Sequence, residues 1–73
     1  MRSGTANHRE AFTEYSEALR INENYPEAHC NLGRLLAQLG RKEEAQGHLR
    51  KALLLKPDYE DAKRQLGQLD RRN

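Results

Sequence analysis

The chain has 73 residues, a formal net charge of +2 and a single cysteine, Cys30, so no disulfide can form within it. A chain of this length makes one small domain at most, which buries only about 60% of the surface exposed by its unfolded state. The weak positive charge does not by itself favour a nucleic-acid partner, and no apolar run approaches the roughly 18 residues of a membrane span.

Alanine, leucine and long polar residues dominate the composition and β-branched residues are few, so helices are predicted throughout. The first predicted helix follows Asn7, the candidate N-cap, and Glu10 stands three residues later to complete a capping box. Its apolar positions recur at helical spacing and are Ala11, Tyr15, Ala18 and Leu19. We expect residues 1–6 to be a disordered N-terminus or a cloning remnant.

The second predicted helix begins with Asn24 as its candidate cap, Pro26 in the first turn and Glu27 at the capping-box position. Its apolar positions are Ala28, Leu32, Leu35, Leu36 and Leu39. Gly40 suits the C-terminal end of this helix, because glycine readily adopts the left-handed conformation found there.

The third predicted helix covers residues 42–56 and ends before Pro57; its inward-facing residues are Ala45, Leu49, Ala52, Leu53 and Leu55. The fourth begins at Asp58, with apolar positions at Ala62, Leu66 and Leu69. The loops between the helices are short, which predicts that sequential helices pack antiparallel. We therefore expect one domain over residues 7–70, followed by a basic tail at 71–73.

Shifting the sequence by 34 residues aligns two helix pairs with each other. The identical pairs are Glu10–Glu44, Ala11–Ala45, Ala18–Ala52, Leu19–Leu53, Tyr25–Tyr59, Ala28–Ala62, Leu32–Leu66 and Gly33–Gly67. A 34-residue period in a helix–turn–helix pattern is typical of the tetratricopeptide repeat.

The segment 26–59 resembles one whole unit of the tetratricopeptide repeat family. The residues that carry the resemblance are Leu32, Gly33, Ala45, Leu49, Ala52 and Pro57, whereas His29 stands where the family commonly has an aromatic residue. The resemblance implies an all-α fold of antiparallel helix hairpins, a four-helix fragment of a right-handed α-solenoid. One complete repeat would be flanked by two half repeats.

Gly33 lies in the middle of the second predicted helix, where glycine costs about 1 kcal/mol relative to alanine. By the resemblance, the two helices of a hairpin cross closely at residues with little or no side chain, here Gly33, Ala45 and Ala52. Gly67 recurs one period later, which a helix simply broken at Gly33 does not explain. We therefore expect both glycines to lie at helix–helix crossings.

The first predicted helix has apolar residues that the resemblance would place partly under a preceding helix. Fewer than three repeats rarely stand alone. We expect the chain to be the C-terminal end of a longer array, or a small unit that self-associates through Phe12, Tyr15 and Leu19.

Candidate catalytic residues are few. The histidines His8, His29 and His48 form no arrangement with cysteine or aspartate at fixed spacing on one face. The adjacent Glu43 and Glu44 point in different directions on a helix and favour the start of that helix through its dipole. We expect no enzymatic activity, no cofactor and no metal site.

The resemblance implies that the first helices of successive repeats line a concave groove for a partner peptide or helix. Its lining would be Glu27, Cys30, Asn31, Arg34 and Gln38 from the second helix, and Asp61, Arg64, Gln65 and Gln68 from the fourth. Arg34 and Arg64 would grip a carboxylate or a carbonyl group. The expected function is that of a non-catalytic protein–protein interaction module, part of a scaffold or adaptor. Cys30 would be either a reactive thiol or a small hydrophobic filler, and the filler is favoured.

Three other outcomes have less support. Some family members clamp the acidic tails of chaperones, but Asp61 and Gln65 stand where that clamp has cationic residues. A structural oligomerisation unit would use the first helix as its seam. A nucleic-acid binder would use the scattered lysines and arginines. The acidic residues among them and the small number of aromatic residues disfavour this function. We expect a protein partner, a possible homo-oligomer, no nucleic acid, no membrane and a cytoplasmic location.

Overall fold

The computed structural model describes residues 3–72 of the chain, and this part consists of four helices joined by short loops. They are α1 (Ser3–Ile21), α2 (Pro26–Gln38), α3 (Lys42–Leu55) and α4 (Glu60–Arg72). No strand occurs in residues 3–72, and the all-α fold predicted from the repeat is confirmed. The predicted end of α3 is right to within one residue.

The starts of the other helices differ from the predictions. Within the described residues α1 begins at Ser3, so Asn7 lies inside the helix and does not cap it. The sequence predicts disorder or a cloning remnant for residues 1–6, but residues 3–6 belong to α1, and residues 1 and 2 lie outside the described part of the chain. No proline interrupts this stretch, so nothing there forces a later start. Similarly, the sequence predicts a basic tail over residues 71–73, but residues 71 and 72 lie within α4, and residue 73 lies outside the described part of the chain.

The predicted cap of α2 is wrong, because the N-cap position is Tyr25 and no side chain bonds to the free N–H groups of the first turn. Pro26 occupies the first turn of the helix, where its lack of an N–H group costs nothing. The backbone N–H of Asn24 instead bonds to the Asn22 side chain at 3.1 Å. α4 begins at Glu60, after a turn, and not at the predicted Asp58.

The pairs of residues that meet across α2 and α3 show that these helices run antiparallel. His29, early in α2, meets His48, near the middle of α3. Leu36, later in α2, packs in one cluster with Ala45, early in α3. The prediction of an antiparallel hairpin is therefore correct for α2 and α3.

The same pattern relates α3 to α4. Ala52, late in α3, packs with Ala62, early in α4. The Gln46 side chain donates a hydrogen bond of 2.8 Å to the Asp70 carboxylate near the other end. Both α2 and α4 therefore run opposite to α3 and in the same direction as each other.

The core lies along α2 and α3 in two groups of buried residues. One group lies where α2, α3 and α4 meet and consists of Cys30, Leu49, Ala52 and Ala62. The other group lies beneath α1 and consists of Leu32, Leu35, Leu36 and Ala45. Leu69 of α4 packs against both groups. Leu39 was predicted to face inward but is 46% exposed, since it is the C-cap residue and lies beyond the last turn of α2.

Gly33 lies where α2 crosses α3, as predicted. A Cβ atom built on Gly33 would come within 2.8 Å of Leu49 Cγ and 3.1 Å of the Ala45 carbonyl oxygen. Gly67 differs, because a Cβ there would meet no atom within 4 Å. The expectation of a second crossing at Gly67 is wrong within the described residues, since no described helix packs on that side of α4.

Gly40 ends α2 in the way its sequence position predicts. Its φ angle is +83°, in the left-handed region that glycine adopts without a steric penalty. The N–H of Gly40 bonds to the Ala37 carbonyl oxygen at 3.1 Å, and the N–H of Arg41 bonds to the Leu36 carbonyl oxygen at 2.9 Å. This pair of bonds is a Schellman motif, which turns the chain sharply toward α3.

Candidate functional site

A polar hollow of about 330 Å³ lies between α2 and α4. Arg34 and Gln38 line it from α2, and Gln65 and Gln68 line it from α4. Ala37 and Leu69 also border it and supply apolar surface. The structure thus brings together four of the residues that we predicted to line a groove, because α2 and α4 pack side by side on the same face of α3.

A second, smaller hollow of about 160 Å³ lies between α1 and α2. Tyr15 lines it from α1, and Asn31, Arg34 and Gln38 line it from α2. Arg34 and Gln38 therefore border both hollows. A segment laid across α2 would pass over these two side chains.

Arg34 is an exposed cation that no carboxylate neutralises in residues 3–72. Its guanidinium donates to the Asn31 side-chain oxygen at 3.4 Å. Arg64, in contrast, pairs with Asp61 at 3.5 Å, and both side chains are well exposed. Such a surface pair is worth at most about 1 kcal/mol, but it occupies Arg64 with a partner on its own helix.

Cys30 does not line the groove as expected, because it is only 3% exposed and belongs to the core beneath α4. Burial raises the pKa of its thiol, which outweighs the opposing effects of a hydrogen bond with Tyr59 and of the nearby Arg34. A raised pKa keeps the thiol protonated and unreactive. The structure therefore supports the hydrophobic filler.

Tyr59 shares the environment of Cys30. Burial and the neighbouring Cys30 raise the pKa of its hydroxyl group to about 12. Glu27 and Asp61 contribute to the same shift, so both carboxylates lie near this contact. The acidic groups thus gather near the first turns of α2 and α4, while Arg34 and the glutamines lie further along the same two helices.

Phe12, Tyr15 and Leu19, which we predicted to mediate self-association, are half-buried in the structure. All three pack against the buried residues of α2. They are therefore covered in part by their own chain. Phe12 and Leu19 also line a third hollow, of about 540 Å³, between α1 and α3.

The structure shows one contact that the sequence analysis missed, between His29 and His48. Their Nδ1 atoms lie 3.1 Å apart across the α2–α3 crossing, at the edge of the third hollow. Burial and the neighbouring His29 lower the pKa of His48. The signal that could have revealed the pair is antiparallel register, since contacts in such a hairpin join positions whose numbers sum to a near-constant value.

The described residues hold no group of three or more histidine, cysteine, aspartate or glutamate side chains that could bind a metal ion. None of the described helices is both long enough and apolar enough to cross a membrane.

Comparison with known protein families gives two overlapping matches. The family model described as "TPR repeat" matches residues 7–40, and the model described as "Tetratricopeptide repeat" matches residues 26–59. The second match coincides with the repeat unit delimited from the sequence. No curated protein matches the chain.

Proposed function

The chain belongs to the tetratricopeptide repeat family, whose repeats generally mediate protein–protein interactions, and from that premise we propose that it binds an extended protein segment bearing a carboxylate. The segment would lie across α2 and α4, over the hollow of about 330 Å³. The observation that carries this proposal is the position of Arg34. It borders two adjoining hollows, and within residues 3–72 no acidic side chain pairs with it.

Arg34 suits a carboxylate because its guanidinium presents several N–H donors in one plane. Its hydrogen bond to Asn31 uses one of its terminal nitrogens and orients the group. Hydrogen bonds between ions are about twice as strong as neutral ones. Binding a carboxylate also removes no existing ion pair, so the gain is not offset by breaking one.

The glutamine side chains suit a peptide backbone. Gln38, Gln65 and Gln68 each carry both a donor and an acceptor at the rim of the hollow. An extended segment presents N–H and C=O groups along its length, and these can pair with such amides. Ala37 and Leu69 offer room for a small apolar side chain. We expect weak binding from so shallow a site, with a Kd of roughly micromolar.

The proposal is tested by selecting binders from a random decapeptide library and measuring their affinity by fluorescence anisotropy. Selected peptides should carry aspartate or glutamate, and Arg34→Gln should weaken their binding about tenfold, since a charge-assisted hydrogen bond contributes roughly 1.5–3 kcal/mol. Arg34→Glu should abolish binding. The matched control is Arg50→Gln, which removes an exposed arginine from α3 outside the hollow.

Two results of this experiment would contradict the proposal. One is that the selected peptides lack acidic residues. The other is that Arg34→Glu binds them as tightly as the wild type does, which would move the site to another surface. A loss of affinity in Arg50→Gln equal to that in Arg34→Gln would indicate nonspecific attraction by positive charge.

The alternative function is self-association through α1. Its support is the third hollow, which Phe12 and Leu19 line from α1. Because these side chains already pack against α2, we expect the chain to sediment as a monomer at micromolar concentration. A dimer that Phe12→Glu dissociates, while the folded helix content is retained, would instead support the alternative.

A further inference from the structure

His29 and His48 form a contact whose chemistry depends on protons. His29 lies on α2 and is 8% exposed, and His48 lies on α3 and is half-buried. Their Nδ1 atoms are 3.1 Å apart, a hydrogen-bonding distance. The other ring nitrogen of His29, Nε2, lies 2.9 Å from the carbonyl oxygen of Glu23.

The bond to Glu23 determines which nitrogen of His29 carries the proton. A carbonyl oxygen can only accept, so His29 Nε2 must be the donor. In a neutral imidazole the other nitrogen is then an acceptor. His29 Nδ1 therefore accepts a hydrogen bond, and His48 Nδ1–H must be its donor.

This arrangement tolerates one added proton but not two. If His48 gains a proton at Nε2, its Nδ1–H still donates to His29. If both rings are charged, each Nδ1 carries a hydrogen and the two N–H groups point at one another. Two like charges would then face each other without an acceptor between them, which disfavours the contact.

We propose that His29 and His48 form a proton-sensitive latch between α2 and α3, closed while at most one ring is charged and broken when both are. The latch lies next to the tight contact that Gly33 makes with Leu49 and Ala45 of α3, since Gly33 is one turn further along α2. Opening it would therefore weaken the packing that holds the hairpin together.

The groups around the latch do not cancel this effect. α1 contributes Phe12, Ser16 and Leu19 to the same hollow, and none of them is charged. The charged groups are Arg41 before α3, and Glu44 and Lys51 on α3. Glu44 favours a charged His48, but burial and His29 act more strongly in the opposite direction, so the pKa of His48 is lowered. Glu44 is also paired with Arg41 at 2.8 Å.

The sign of the pH dependence follows from the number of protons bound. In the unfolded chain both rings have a pKa near 6.5 and take up two protons as the pH falls below that value. The folded chain with a closed latch takes up at most one. Stability is therefore fully present well above pH 6.5 and declines below it, by up to about tenfold in the folding equilibrium constant per pH unit for each proton that the unfolded chain binds in excess. The difference is two protons above the lowered pKa of His48 and one below it, so the decline becomes shallower there but continues for as long as the latch stays closed.

The experiment is urea unfolding of the full chain, followed by circular dichroism at pH 7.5, 6.5 and 5.5 at constant ionic strength. The folding equilibrium constant of the wild type should fall between pH 6.5 and 5.5 by about fivefold to tenfold. His48→Gln should reduce this fall, because the amide can donate to His29 without gaining a charge. The control His8→Gln, on α1 outside the latch, should retain it.

Equal pH dependence in the wild type and in His48→Gln would overturn the proposal. If His48→Gln fails to fold, the titration of the wild-type imidazoles by NMR decides the matter. The latch requires a His48 midpoint below 6.5 and a His29 ring protonated at Nε2 at pH 7.5. A His48 midpoint at or above 6.5, or the opposite tautomer of His29, would exclude it.

Discussion

Replacing Gly33 with leucine is expected to destabilise the domain by more than about 3 kcal/mol, enough to unfold it. The reason is the distance of 2.8 Å between a built Cβ and Leu49 Cγ, together with 3.1 Å to the Ala45 carbonyl oxygen. The Leu49 side chain is fully buried, so it cannot swing out into solvent to make room. The Ala45 oxygen is backbone, so it can retreat only if α3 moves.

The substitution Gly33→Ala sets the helix propensity of the residue against its steric contact with α3. Alanine favours a helix over glycine by about 1 kcal/mol, whereas the contact with Leu49 and Ala45 opposes any added atom. We expect the contact to dominate, so that Gly33→Ala lowers the melting temperature by a few degrees. Thermal unfolding followed by circular dichroism at 222 nm measures this change.

Gly67 provides the control, because it occupies the same position one repeat later. A Cβ at Gly67 meets nothing within 4 Å, so Gly67→Ala should gain the helix propensity and raise stability by about 0.5–1 kcal/mol. The same substitution is thus expected to have opposite signs at two equivalent positions. A shift in the same direction for both variants would show that the crossing at Gly33 does not control the packing.

These two glycines illustrate how much of the fold the sequence could predict. A 34-residue period places Gly33 and Gly67 at the same position of a repeat, and this register is what the sequence encodes. Whether an atom lies opposite that position depends on which helices are present to pack there. The close approach was therefore predictable for Gly33, which has α3 beside it, but not for Gly67.

The candidate site was predictable to a similar extent. Helical spacing correctly placed Arg34 and Gln38 on one face of α2, because spacing alone decides which residues share a face. Spacing could not show how deeply a side chain on that face is buried. Cys30 was therefore assigned to the groove, although it is buried beneath α4. The contact between His29 and His48 joins two helices, so it needed the register between helices as well as the spacing within each.

Replacing Leu49 with alanine is expected to cost about 3–5 kcal/mol, the second large effect. Leu49 is 0% exposed and is the largest side chain that the described core buries completely. It packs with Cys30 of α2 and Ala62 of α4, so one cavity would loosen three helices. A domain of this size is only marginally stable. Urea unfolding of Leu49→Ala should therefore show a transition at a much lower urea concentration, or no cooperative transition.

Leu54 is the matched control for this prediction. It lies on the same helix but is 76% exposed, so Leu54→Ala removes the same atoms without leaving a cavity. Its effect should stay within about 0.5 kcal/mol. If Leu54→Ala proved as destabilising as Leu49→Ala, the face that α3 turns toward the core would have been assigned incorrectly.

The two large effects should not add, because Gly33 and Leu49 meet at one contact. In the Leu49→Ala background two of the three atoms nearest to a Cβ at position 33 are gone, and of these three the Ala45 oxygen at 3.1 Å remains. The added methyl group would then fill part of the cavity. We expect Gly33→Ala to be neutral or stabilising in that background, with a coupling energy of about 1–2 kcal/mol in a double-mutant cycle. Strict additivity would mean that the contact between α2 and α3 is not the one described.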